Sequence, residues 1–381
     1  MTGTTSTSQP RERTVTGSST GLDELVLSRK VIVCLGSGGV GKTTVSASLA
    51  RRAATLGRRA VVITVDPARR LGDAMGLESG SLGPEPRLIG HTGPGELWAT
   101  MLDPRATFDR VVAEHSPDPA TRARITSNNF YRNLAEGLSG TQEYLATEEL
   151  FALQDDPRFD LVVVDTPPSG NAMDVLDAPG RLVRLFDNRV YRLLTGRTSG
   201  PVKVVTRAAH RFVRLVASAV GAGVVDDAIE FFTLFEDLEA GFRARASTVR
   251  EILSGDLAAF VLVASPRRDT VREAEQLLDG LEERRLHPDA LVVNLLHPDP
   301  SIPLTPEQLE EALDRPGAEA LRRLHRRARA ERLATGELIS RLPPQSRLVR
   351  IPILPDDVHD SSGLDHVTRC LGGAYPATPS P

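Results

Sequence analysis

An apolar, β-branched run, Val31-Ile32-Val33-Cys34-Leu35, feeds directly into Gly36-Ser37-Gly38-Gly39-Val40-Gly41-Lys42-Thr43-Thr44, and a stretch rich in Ala, Ser and Leu follows. Strand, glycine-rich loop and helix in that order constrain the chain more than any other feature. Glycines let the backbone curl so that successive N–H groups and the following helix N-terminus face an anion, while Lys42 reaches the β/γ-phosphates and the Thr43 hydroxyl ligates Mg²⁺. Gly36, Gly38, Gly39, Val40, Gly41, Lys42, Thr43 and Thr44 are therefore the candidate nucleotide-binding residues, with Lys42 also a candidate catalytic group. The pattern implies a nucleoside triphosphate bound with Mg²⁺ inside an α/β fold.

The rest of the chain repeats the strand–helix rhythm. Short apolar runs recur at Val31 to Leu35, Ala60 to Val65, Leu97 to Leu102, Leu161 to Val164, Phe260 to Ala264, Leu291 to Leu295 and Leu348 to Ile353. Most lack alternation, as strands buried on both faces do, and helical stretches separate most of them, which predicts a doubly wound, mainly parallel sheet. Two long segments, about 104–156 and about 181–253, interrupt the rhythm and read as helical. The expected organisation is a disordered tail over 1–24, a first part of the core over 25–180, an inserted helical subdomain over 181–253, the second part of the core over 254–372 and a tail over 373–381.

Six of the chain's eleven Phe fall in the second helical segment. There Lys203, Arg207, Arg211 and Arg214 share a helical face, and downstream Phe231, Phe235, Leu238 and Phe242 form an apolar stripe among acidic residues. Such stripes serve either as a subdomain core or as a groove for an apolar or membrane-proximal partner. The stretch from Thr305 to Leu342 is another charged helical region, without a catalytic pattern.

Several functions are disfavoured by composition. A net charge of −4 supplies no global basic field, so no nucleic-acid partner is expected. Two cysteines, Cys34 and Cys370, provide neither a disulfide framework nor a metal-ligand cluster, and a reducing cytoplasm fits them. No run reaches the ~18 apolar residues of a membrane span, so the expected location is cytoplasmic or peripheral to a membrane.

In a doubly wound sheet, residues at the carboxyl ends of strands face the ligand. The second run ends Thr64-Val65-Asp66-Pro67-Ala68, and Asp66, beside the phosphate loop, is read as the group that orients the water attacking a γ-phosphate; the alternative, an N-cap of the following helix, is compatible with catalysis. The fourth run ends in Asp165, a carboxylate positioned beside Mg²⁺ held by Thr43. Thr166-Pro167-Pro168-Ser169-Gly170-Asn171 follows, and its mixture of rigid and flexible residues suits a switch responsive to the γ-phosphate, with Asp165, Pro168 and Gly170 its candidate residues.

The phosphate loop, Asp66-Pro67-Ala68 and Asp165-Thr166-Pro167-Pro168-Ser169-Gly170, in this order, resemble the ArsA-like ATPases, which include arsenite-pump ATPases and ATPases that target tail-anchored membrane proteins. The likeness extends from about Arg29 to Leu371, and Ser139-Gly140-Thr141-Gln142-Glu143-Tyr144 and Leu176-Asp177-Ala178-Pro179 resemble the actinobacterial branch. This resemblance implies a P-loop NTPase of the deviant-Walker (SIMIBI) type, related to MinD and the nitrogenase iron protein, and ATP hydrolysis coupled to opening and closing of a dimer. It further implies that Asn294 reads adenine and that Pro355 and Asp356 belong to the loop covering the base. An Asn at a strand end offers a paired donor and acceptor that suits a base edge, though a turn-forming Asn would look the same.

The sequence departs from the family's pattern at three points. Ser37 stands where the loop usually carries a signature lysine that reaches the partner's phosphates across the dimer, and a hydroxyl cannot supply that charge. Slow hydrolysis by the isolated chain, or a lysine-bearing paralogue as partner in a hetero-dimer, follows as the expectation. The arsenite-binding cysteines have no counterpart, which argues against an arsenite pump, and the zinc-binding CxxC of the tail-anchor ATPases is missing as well. The leading reading is an Mg²⁺-dependent ATPase acting on an apolar or membrane-associated client. Its alternatives are a weakly active regulatory subunit and a MinD- or ParA-like positioning ATPase using the Lys203 to Arg214 face.

Overall fold

The computed structural model describes residues 21–66, 70–78, 82–129, 131, 141–167, 172–187, 227, 230–231, 233–235, 238–298 and 318–373. Eight strands form one sheet: β1 (Val31–Gly36), β2 (Arg59–Thr64), β3 (Arg87–Thr92), β4 (Gly95–Met101), β5 (Leu161–Asp165), β6 (Ala258–Ala264), β7 (Ala290–Leu296) and β8 (Arg347–Pro352). Their order is β3-β4-β2-β5-β1-β6-β7-β8. Every pairing is parallel except the hairpin that joins β3 to β4.

Parallel strands need helical crossovers, and the crossovers cover both faces. On one face lie α1 (Asp23–Ser28), α2 (Lys42–Thr55), α3 (Arg70–Ala74) and α11 (Ser361–Leu371). On the other lie α4 (Pro104–His115), α5 (Pro119–Ser127), α6 (Thr141–Asp155), α7 (Ala172–Asp187), α8 (Glu239–Ser254), α9 (Arg268–Glu283) and α10 (Ala318–Ser340). β1 shows why its sequence is continuously apolar: Val31, Val33 and Leu35 enter one core, Ile32 and Cys34 the other. The doubly wound, mainly parallel α/β architecture is the one its rhythm predicts.

β3 was not among the expected strands. It is an edge strand, largely exposed or half-buried, and its sequence Arg-Leu-Ile-Gly-His-Thr lacks the apolar run of a strand buried on both sides. The expected tail over 1–24 includes residues that are packed: Leu22 is buried and its N–H donates to the Leu371 carbonyl at 2.7 Å. Residues 1–20 and 374–381 lie outside the described residues.

The helical stretch expected at 104–156 contains α4, α5 and α6. Asp103 and Asp118 cap α4 and α5, each followed by a proline at the first helical position, where a missing N–H costs nothing. Of the second stretch, Phe231, Phe235, Leu238 and Phe242 are buried, with Phe235 and Phe242 ring centroids 4.7 Å apart and Tyr144 of α6 stacked on Phe242 at 5.9 Å. This stripe is core shared with the 104–156 helices, leaving no exposed apolar groove at those four residues. The basic face from Lys203 to Arg214 lies outside the described residues.

Candidate functional site

All parallel strands end on the same edge, and the chain reverses its winding about β1, between β5 and β6. That reversal opens the crevice in which open α/β sheets hold ligands. The loop from Gly36 to Gly41 crosses it and enters α2 at Lys42. Two glycines have geometric reasons. A Cβ at Gly36 would stand 2.5 Å from the Val263 carbonyl oxygen of β6. Gly41, at φ +83°, has the left-handed backbone that L-residues avoid, and a Cβ there would meet Asn294 Nδ2 at 2.3 Å.

Asp165 is the electrostatic centre. It has no solvent exposure, and its Oδ2 accepts hydrogen bonds from the Thr43 hydroxyl at 2.7 Å and the Thr64 hydroxyl at 3.1 Å, while Ser46 Oγ lies 3.5 Å from Oδ1. Burial pushes its pKa above the ordinary carboxylate value, with Lys42 and the two threonine hydroxyls opposing the shift. Lys42 is itself buried, with Nζ 3.4 Å from the Gly36 carbonyl oxygen, and burial holds its pKa below the ordinary ammonium value against the attraction of Asp165. A buried cation at a helix N-terminus is stabilised by an incoming polyanion, whose negative charge restores the preference for the protonated form.

The donor set fits Mg²⁺. Thr43 spends its hydroxyl proton on Asp165, which leaves its oxygen lone pairs for a hard cation, and the Asp165 carboxylate stands alongside. Among the described residues no group of three or more His, Cys, Asp or Glu is placed to hold a metal. The two residues would thus share the ion with phosphate oxygens, the arrangement Mg²⁺ favours.

Asp66 follows β2 at the same edge, its backbone N–H donating to Thr64 Oγ1 at 3.2 Å and its carboxylate 3.7 Å from Arg70 of α3. Thr64 therefore joins both acids, a role the sequence did not single out although the residue stands in the quoted strand end. Ser46, one helical turn beyond Lys42, was missed likewise. Asn294 of β7 is buried and its Nδ2 donates to the Val40 carbonyl at 2.9 Å, so the amide braces the phosphate loop. The next residue, Leu295, has φ +61°, and pairing with β8 shifts register between Val293 and Leu296. This local irregularity accompanies the inward placement of Asn294.

Pro355 and Asp356 sit exposed in the loop after β8, the strand next to β7. Pro168 and Gly170 lie outside the described residues, whereas Thr166 is buried with its hydroxyl on the Cys34 carbonyl at 2.7 Å. Ser37 is 2% exposed, and its hydroxyl has no hydrogen-bond partner. Cys34 and Cys370 are both buried and unpaired, the Cys34 thiol pushed up to about 12 by burial. A cavity of about 200 Å³ opens at the opposite edge of the sheet, but Arg58, which lines it, already donates to the Val26 and Arg29 carbonyls at 2.5 and 2.6 Å.

The sequence profile described as anion-transporting ATPase matches residues 29–311. Among similar proteins, the ATPase GET3 of Podospora anserina is 24% identical over 339 residues, covering 88% of each chain. The ATPase get3 of Schizosaccharomyces japonicus is 29% identical over 280 residues, 72% of this chain and 78% of its own. The ATPase GET3 of Phaeosphaeria nodorum is 26% identical over 333 residues, 87% and 90% respectively. These relatives are fungal rather than actinobacterial, the branch the sequence motifs were expected to match.

Proposed function

The chain belongs to the anion-transporting ATPase family, and on that premise we propose that it binds and hydrolyses Mg²⁺–ATP at the β1–α2 loop and couples nucleotide state to opening and closing of a dimer. The observation that carries this reading is the joining of Thr43, Thr64 and Lys42 around the buried Asp165 carboxylate at the sheet's carboxyl edge. In the proposed roles, Gly36, Gly38, Gly39, Val40, Gly41 and Thr44 present backbone groups to the phosphates and Lys42 neutralises the β/γ oxygens. Thr43 and Asp165 would hold Mg²⁺, which would neutralise charge on the phosphate oxygens. Asp66 accepts a hydrogen bond from the attacking water and holds it in line with phosphorus. Asn294 keeps one amide hydrogen and its carbonyl for adenine, and Pro355 and Asp356 approach the base from the neighbouring loop. Asp165, Pro168 and Gly170 form the switch.

The proposed client is an apolar or membrane-associated protein, the proposed location the cytoplasm or the membrane periphery. No described helix is long and apolar enough to cross a membrane. Since the Phe231 to Phe242 stripe is buried, such a client would need a surface elsewhere or a rearranged helical layer.

Ser37 supports a second reading. The loop has no lysine between Gly36 and Gly38, and the buried Ser37 hydroxyl brings no charge, so this chain would be the weakly active member of a hetero-dimer whose paralogue supplies the cation.

Calorimetric titration with ATP, with and without Mg²⁺, tests the site. Wild type should bind more tightly with Mg²⁺ present, and Thr43→Val should lose that Mg²⁺ dependence while still binding nucleotide through Lys42. Equal Mg²⁺ dependence in both proteins would remove Thr43 and its contact with Asp165 from the metal site.

A further inference from the structure

Among the described residues, helix α10 carries a dense run of arginine. Between Ala318 and Arg332 it carries six arginines against two glutamates in a chain whose net charge is −4. Its inner face is set by Ala328, Glu331, Thr335 and Leu338, all buried. At 100° per residue, Arg322, Arg326, Arg329 and Leu333 fall within a narrow stripe on the opposite side, all exposed. Arg323 and Arg327, flanking the stripe, pair with Glu319 and Glu331.

Leu333 lies on that stripe and is 73% exposed, the most exposed large hydrophobic residue among those described, with Leu27 next at 50%. A lone exposed leucine is ordinary on a protein surface, but this one stands within the cationic stripe itself. Positive character continues onto β8, where the exposed Arg350 lies near enough to Arg332 for the two cations to repel. Three exposed arginines around an outward leucine suit a headgroup layer, with the cations on lipid phosphates and the leucine between headgroups. A nucleic acid would use the arginines as well but gives Leu333 no role, and an acidic protein is an outcome the test below separates.

We propose that α10 docks this protein on the surface of an anionic lipid bilayer, with Arg322, Arg326 and Arg329 on lipid phosphates and Leu333 inserted between headgroups. The surface lies on a helix separate from the nucleotide loop, so the proposal stands or falls independently of the hydrolysis reading.

Flotation of the full chain with phosphatidylcholine vesicles, with and without about 30% phosphatidylglycerol, tests it at physiological salt. Wild type should float with the anionic vesicles alone and be released as salt rises. Arg322→Gln/Arg326→Gln/Arg329→Gln should weaken partitioning by roughly 100-fold, from about fivefold per arginine near an anionic surface. Leu333→Ser should weaken it by several-fold while leaving the weaker retention on duplex DNA unchanged. All four side chains are exposed, and unaltered circular dichroism and thermal melts would show that the variants fold. The proposal is overturned if wild type does not float, if the triple variant floats as well as wild type, or if Leu333→Ser has no effect. It is likewise overturned if DNA or an acidic peptide binds the arginines more tightly than vesicles do, which would assign the surface to those partners.

Discussion

Replacing Gly41 with alanine should be among the most damaging small substitutions in this protein, and the structure says by how much. Gly41 has φ +83°, where an L-residue is disfavoured by roughly 1–2 kcal/mol. The new Cβ would stand 2.3 Å from Asn294 Nδ2, so the amide must swing away. In doing so it leaves the Val40 carbonyl, to which it donates at 2.9 Å in a buried setting, and an unsatisfied buried acceptor costs about 1–3 kcal/mol. Gly41→Ala should therefore destabilise by about 2–5 kcal/mol. Asn294→Ala alone should cost only the hydrogen-bond part, about 1–3 kcal/mol. In the double variant the clash has no object and the bond is already lost, so its cost should nearly equal that of Gly41→Ala alone. The interaction energy is then about −1 to −3 kcal/mol, far from additivity. Urea denaturation of the four proteins, compared by midpoint at constant slope, measures it. Additivity within about 0.5 kcal/mol would refute the contact between β7 and the phosphate loop.

Other consequences can be read from single groups. The Cys34 thiol, pushed up to about 12, and the buried Cys370 should both resist a thiol-specific reagent in the native protein and react in denaturant; rapid native modification would contradict the packing of β1 and α11. His115, whose Nε2 is buried without a partner and whose pKa is lowered by burial and then by Arg245, binds its proton more weakly folded than unfolded. The stability it contributes is present above about pH 6.5 and is lost as pH falls through the lowered folded value, so His115→Gln should flatten the difference in urea midpoint between acidic and neutral pH; an unchanged slope would refute this. Ser37→Lys should raise turnover of the isolated chain on the order of 100-fold if the missing cation limits hydrolysis, and unchanged turnover would show that the limit lies elsewhere.

How legible the site was depended on sequence distance. The candidate loop from Gly36 to Thr44 could be located because its elements adjoin, and Asp66 and Asp165 because one follows and the other ends an apolar strand that finishes at the carboxyl edge. By contrast, the contact between Asn294 and Val40 spans 254 positions and depends on a local irregularity in β7, so no local pattern announces it. Thr64 and Ser46 were invisible for another reason: a hydroxyl beside a carboxylate has no distinctive neighbours in sequence. β3 escaped notice because an exposed edge strand needs no apolar run, although Gly93-Pro94 marks its turn. The Phe231 to Phe242 stripe was recognised, but whether it faced core or partner depended on Phe108, Tyr131 and Tyr144, supplied by helices more than 80 residues earlier.

Steady-state Mg²⁺–ATP hydrolysis by the purified chain across a range of protein concentrations, with Lys42→Ala as the blank, tests the central claim directly. The account predicts turnover above the blank that rises per subunit with concentration as dimers form. Turnover indistinguishable from Lys42→Ala at every concentration would contradict hydrolysis by this chain alone and leave the hetero-dimeric reading of Ser37 in its place.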